Sequence, residues 1–264
     1  MCRTPGGSVE SPLSIEVVRD ADGLDAVVTA VRASAGSVGI DCETTGLEPL
    51  SDRVRLLQIA APAAIYVIDL FAVDAPEKMS TLFAALGEVE IVGHNLQFDL
   101  RFLSRLGFVP GPVYDTMLAS RVLHAGAAER GKQSIGHSLK EVTRRELDIN
   151  LAKELQASDW SGALTEQQIA YAANDVAMLL PLATVLRRKI ETAGLTATAA
   201  LEMLALLGIA WANGINFNKT AWNRLAEAKA VPRKKSSRNF GHSIRRASPA
   251  TGTHRHRSPR HSRP

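Results

Sequence analysis

The spacing of hydrophobic and polar positions changes several times along this chain. Ile15–Val18 is a short β-branched run. From Asp20 to Ala35, Leu24, Val27, Val28 and Val31 share one face at helical spacing and predict a helix. Ser37–Glu43 reads as a buried strand that ends in acids, and Val54–Ala61 and Ala64–Leu70 as two further strands. Pro62-Ala63 between the last two suits a hairpin. Helical spacing returns over Pro76–Leu86. Glu90–Gly93 predicts a short strand, followed by a helix from Leu96 to Leu106 that stops near Gly107. Val113-Tyr114 suits one more strand, before helices near Thr116–Ala125, His137–Leu147 and Thr165–Thr192. Thr165 and Gln168 form a capping-box pattern at the start of the last of these. A helical piece, Ala197–Ala212, leads to Asn213-Gly214 and an amphipathic stretch, Lys219–Ala230. A meander of strands followed by alternating strands and helices predicts an α/β fold: a mixed sheet of about five strands flanked by helices.

Charge divides the chain. Its net of +4 hides a tail, residues 232–264, with 10 Lys/Arg, four of the seven His and no Asp or Glu. The remainder carries 21 basic against 27 acidic residues, a net of −6. The tail is too poor in aliphatics to bury a core of its own. The expected organisation is a frayed leader (1–13), a folded body (14–192), a helical piece (193–230) and a disordered basic tail (231–264). With 45% hydrophobic and 22% charged residues the body is ordinary globular material, which excludes a collagen-like or wholly disordered chain. No run of 18 apolar residues is present, so no membrane partner is expected, and Met1–Gly7 lacks the apolar core of a secretory signal. Cys2 and Cys42 lie too far apart to suggest a thiolate metal site and suit a reducing cytoplasm.

Candidate chemistry lies in three acidic elements. Asp41 and Glu43 stand two apart at a strand end, so both carboxylates leave one face of the sheet while Cys42 points the other way, into packing. Two like charges side by side repel unless a cation joins them, and hard cations such as Mg²⁺ take oxygen ligands. Asp99, in Asn95-Leu-Gln-Phe-Asp99, falls in the first turns of a helix for which Asn95 is a suitable N-cap. Tyr171 and Asp175 are four apart on a helix and share a face. Singly, each element also fits a capped helix or a surface pair. Together they supply four carboxylates and one phenol, the donor set of a two-metal phosphoryl-transfer site.

These residues resemble the DEDD superfamily of 3′-5′ exonucleases. Asp41-Cys-Glu43-Thr-Thr-Gly-Leu47 is similar to its first motif, Asn95–Asp99 to the second and Tyr171-Ala-Ala-Asn-Asp175 to the third. The Tyr four before the last Asp resembles the Tyr-type branch, which holds ribonuclease D and the proofreading domain of family A DNA polymerases. The stretches Tyr114–Ser120, His137–Glu141 and Ser158–Ser161 agree, so the likeness spans 14–192. It implies a ribonuclease-H-like fold, two Mg²⁺ or Mn²⁺ ions held by Asp41, Glu43, Asp99 and Asp175, and a water oriented by Tyr171. It also implies contacts from Thr44 and Leu47 to the terminal nucleotide, and from Asn95 to the strand. Nucleoside 5′-monophosphates are the implied products.

The substrate reading stays open between two polymers. Glu202–Asn218 resembles the entry to a family A polymerase domain and favours single-stranded or frayed DNA 3′ ends. Trimming of RNA 3′ ends, as by ribonuclease D, fits the same site, and an inactive nucleic-acid-binding module is a lesser alternative. Too few residues follow Asn218 for a polymerase core, so no polymerase activity is expected. Arg101, Arg105, Arg121, Lys140, Arg144, Arg145 and Lys153 are candidates for a phosphate-binding rim. Asp115 suits either support of the site or a helix cap. His94, His137 and Trp160 read as structural. The basic tail reads as an out-of-frame end or as a phosphate-binding arm.

Overall fold

The structure is a computed structural model that describes residues 13–34, 36–125, 135–151, 158–211, 220 and 222–224. Its frame is a six-stranded mixed sheet, one strand more than expected: β1 (Ser14–Val18), β2 (Ser37–Thr44), β3 (Val54–Ala60), β4 (Ala64–Asp69), β5 (Glu90–Gly93) and β6 (Val113–Asp115). The short run at Ile15 supplies the additional strand, because it pairs in parallel with β4 at one edge. The order is β1-β4-β3-β2-β5-β6, with β3 antiparallel to both β2 and β4, and β5 and β6 continuing in parallel from β2. β3 and β4 are buried along their whole length. They are mostly β-branched and aliphatic because helices cover the sheet, although Arg55 and Gln58 interrupt β3.

Helices α1 (Ala21–Ala33), α2 (Pro76–Gly87), α3 (Leu96–Leu103), α4 (Thr116–Leu123), α5 (Leu139–Leu147), α6 (Glu166–Ala177), α7 (Leu179–Thr192) and α8 (Thr196–Trp211) flank it. The predicted helix over 165–192 is two helices, broken at Met178. Pro181 has no N–H to offer the carbonyl four residues back, so the ladder is interrupted there. By length and mean hydropathy alone, residues 166–192 would be able to cross a membrane, although no 18-residue apolar run occurs. Their apolar side chains Ala172, Ala173, Val176, Leu179, Leu182 and Leu186 are instead buried in the core.

Side-chain caps secure the starts of α6, which carries Tyr171 and Asp175, and of α1. Thr165 and Gln168 form the expected capping box at α6. Asp20 caps α1 by accepting from the Gly23 amide at 2.9 Å. α8 belongs to the same compact unit as the sheet and buries Ala199, Met203 and Leu206. Lys219–Ala230 lies mostly, and the basic tail wholly, outside the described residues.

Candidate active site

β2 is central, and its alternation decides the site. Gly39, Asp41 and Glu43 share one face. A Cβ placed on Gly39 would meet the Val176 carbonyl at 3.3 Å and Leu179 Cβ at 3.4 Å. That face therefore lies under the junction of α6 and α7, and α6 brings Tyr171 and Asp175 to it. The phenol of Tyr171 is hydrogen-bonded to the Asp175 carboxylate. The register slips between Glu43 and Thr44, where β2 leaves the ladder.

Asp99 arrives from the opposite layer, on α3. There Cys42 does more than pack. It is buried, and its thiol faces the Asp99 carboxylate. Nothing in the local sequence signals this contact, because α3 and β2 meet only through tertiary packing.

The four carboxylates perturb one another. Burial, then Asp99, Glu43 and Asp175, push Asp41 well above the usual carboxylate range. Burial, then Asp175 and Asp99, push Glu43 up to about 8. Burial raises Asp175 to about 6 against the opposing hydrogen bond from Tyr171. Burial also raises Asp99, with Asp115 adding to the effect. The Tyr171 phenol is pushed up by burial and the surrounding carboxylates and stays protonated. Among the described residues none of the four acids is paired with Lys or Arg.

This all-oxygen, unneutralised donor set fits hard divalent cations. No three acidic, His or Cys groups among the described residues form a ready-made ion cage as the side chains stand. A pH dependence follows. The raised acids keep protons that the unfolded chain loses from about pH 4, so the metal-free fold loses stability as pH rises towards 8. Mn²⁺ should therefore raise the melting temperature more at pH 8 than at pH 5.5. An equal or smaller shift at pH 8 would count against the carboxylates as ion ligands.

Asp115 proves to be a cap, and of two helices at once. It is fully buried. Its Oδ1 accepts from the amides of Asn95 at 3.3 Å, Met117 at 2.8 Å and Leu118 at 3.0 Å, and its Oδ2 from Leu96 at 2.7 Å. Asn95 holds the N-cap position of α3 but not the expected role. Its side chain makes no cap bond, and its backbone is left-handed at φ 67°, ψ 42°. Asn tolerates that conformation better than most residues. The exposed Asn95 amide is thus left to the surface beside Arg121.

Thr44 is half-buried and donates its hydroxyl to the Gly46 carbonyl. Leu47 is 83% exposed on the turn that follows. Asp52 braces that turn through the Glu48 amide at 2.8 Å. His94 bonds Thr116 and the His137 carbonyl, His137 bonds Ser120, and Trp160 is buried, so all three are structural as expected. Arg145 leaves the proposed rim, because its guanidinium is engaged by Gly136, Ser120 and Glu146. Arg101, Arg105, Arg121 and Arg144 are exposed, Lys140 is half-buried, and Lys153 lies outside the described residues.

The sequence profile of the 3′-5′ exonuclease family matches residues 15–191. The chain belongs to this family. DNA polymerase I of Aquifex aeolicus is 37% identical over 171 residues, covering 64% of this chain and 27% of that protein. Ribonuclease D of Gluconacetobacter diazotrophicus is 27% identical over 220 residues, covering 78% of this chain and 50% of that protein. This exonuclease-family chain thus spans about a quarter of the one relative and half of the other. NrnC of Brucella melitensis bound to pGG has a TM-score of 0.62 at 28% identity, covering 79% of this chain and 100% of that one. Another structure of NrnC carries Mg²⁺. Ribonuclease D of Escherichia coli has a TM-score of 0.68 at 22% identity, covering 82% of this chain and 55% of that one, a likeness of fold.

Proposed function

We propose that this chain is a metal-dependent 3′-5′ exonuclease of the cytoplasm that removes nucleotides singly from single-stranded or frayed DNA and releases nucleoside 5′-monophosphates. The observation that carries the reading is the convergence of Asp41, Glu43, Asp99 and Asp175 within a chain of this family. DNA is favoured because the polymerase relative is 37% identical, against 27% for the ribonuclease D relative above.

Asp41, Glu43, Asp99 and Asp175 would together hold two Mg²⁺ or Mn²⁺ ions. When bound, such ions acidify water and offset the charge that builds on the phosphate. The chain's own residues position the reactants. Tyr171 donates its phenolic proton to Asp175, which leaves the phenol oxygen to accept from the attacking water and to turn the water's lone pair. Leu47, held out by the braced turn, packs against the terminal base, with Thr44 beside it and Asn95 on the strand. The exposed arginines offset the carboxylates' repulsion of the phosphodiester.

The test is degradation of 3′-labelled single-stranded DNA and RNA in Mg²⁺ or Mn²⁺. Laddered loss of DNA from the 3′ end, abolished by EDTA, is expected. The ribonuclease D relatives and the NrnC likeness favour RNA or short oligonucleotides as a second reading. A ladder on RNA alone would choose it, and binding without any ladder would sink both. Tyr171→Phe should lower the rate by about ten- to a hundredfold, less than loss of a carboxylate, because orientation is lost and acidification is not. An unchanged rate and pH profile would remove Tyr171 from the mechanism.

A further inference from the structure

Gln58 lies on β3 directly opposite Asp41 on β2, in the row Asp41–Gln58–Val67. Opposed residues of an antiparallel pair leave the same face of the sheet. Gln58 therefore stands beside Asp41 on the face that α6 covers, two residues along the ladder from the Gly39–Ala60 pair under Val176 and Leu179. It is 0% exposed, and neither its amide nitrogen nor its amide oxygen has a hydrogen-bond partner.

Such burial is costly. An unpaired amide forfeits its hydration and gains nothing in exchange, whereas an aliphatic side chain of similar volume carries no such penalty. The neighbouring Leu56, Leu57 and Ile59 show that aliphatic residues suit this strand. A polar side chain at this point calls for a partner that the ion-free arrangement does not provide. The Asp41 carboxylate is the nearest acceptor by register, and in this arrangement it takes the backbone amide of Cys42. Opposed Cβ atoms lie about 4.5–5.5 Å apart, so rotation of the two side chains closes the gap without moving either strand.

We propose that Gln58 is a positioning residue whose side-chain amide donates to the Asp41 carboxylate and holds it in the orientation that binds an ion. The inference rests on the assignment of Asp41 as an ion ligand. A neutral donor suits the place. An Arg or Lys would compete with the cation, and a further acid would add to the repulsion. Partners of this kind, one step out from a metal, orient its ligands, and their loss costs about ten- to a hundredfold in affinity or rate.

The experiment compares the full chain with Gln58→Leu, Gln58→Met and Asp41→Ala. It measures Mn²⁺ binding by calorimetry, metal-free melting, and kcat and KM on a 3′-labelled oligodeoxynucleotide. Gln58→Leu is expected to melt at the same or a higher temperature without metal. It should nonetheless bind Mn²⁺ about ten- to a hundredfold more weakly and lose kcat with KM unchanged. Affinity and kcat within twofold of the parent in either folded Gln58 variant would overturn the proposal. So would failure of both variants to fold, since Gln58 would then serve the core. The Asp41→Ala arm tests the underlying assignment separately. If Asp41→Ala binds Mn²⁺ like the parent, the ion site itself is misassigned, whereas its loss of binding beside unaffected Gln58 variants sinks the Gln58 inference alone.

Discussion

Asp41→Ala will reduce 3′-end degradation by roughly a thousandfold or more, because several kcal/mol of charge stabilisation at the phosphate depend on ions that Asp41 helps to hold. No other position is so exposed to failure. Asp41 feels all three companion acids, and it stands between the layer that brings Asp175 and the layer that brings Asp99. The isosteric Asp41→Asn separates chemistry from folding. It replaces an acid that can ionise only against burial and its neighbours with a neutral amide, so at alkaline pH the metal-free protein should melt at a higher temperature than the parent while degrading no DNA. Activity that persists in either variant would place the reaction elsewhere. A lower metal-free melting temperature for Asp41→Asn would show that the repulsion does not burden the fold.

Asp115→Ala carries the largest expected effect on stability. One buried carboxylate accepts four backbone N–H groups, two at the start of α3 and two at the start of α4. Loss of a helix cap costs about 0.5–2 kcal/mol, so two caps together are worth about 1–4 kcal/mol. For a body of this size that lowers the melting temperature by about 3–15 °C. Asp99 sits in the first turn of α3, so fraying of that turn also displaces a carboxylate of the site. Degradation measured well below both melting temperatures should therefore fall in Asp115→Ala, beyond what the folded fraction explains. Asp115→Asn keeps one oxygen acceptor but turns an amide towards N–H groups, and an intermediate melting temperature is expected. A melting temperature within 1 °C of the parent for Asp115→Ala would refute the double cap.

Several elements were legible without coordinates because their causes are local. The pleat places Asp41 and Glu43 on one face whatever the sheet order, and the helical turn places Tyr171 beside Asp175. Thr165 and Gln168 announce the start of α6 through bonds that span three residues. Other features escaped for an equally physical reason. Asn95 carries the composition of a cap, but its place was taken by Asp115, twenty residues away, once β6 lay beside β5. The break at Met178 was signalled by Pro181, yet strong apolar periodicity on both sides masked it. β1 is short and mostly exposed, and its pairing with β4 makes it part of the sheet.

By itself, the sequence determined which side chains leave a strand or helix together, where acids accumulate and where charge changes sign, since these follow from periods of two to four residues. Only the tertiary structure decided that α6 covers the Asp41 face while α3 delivers Asp99 from the other layer. It alone gave the Cys42 thiol to Asp99, one carboxylate to two helix ends and an unpaired amide to the flank of Asp41. Such contacts join segments far apart in the chain, and they exist only once buried apolar surface has brought strand and helix together.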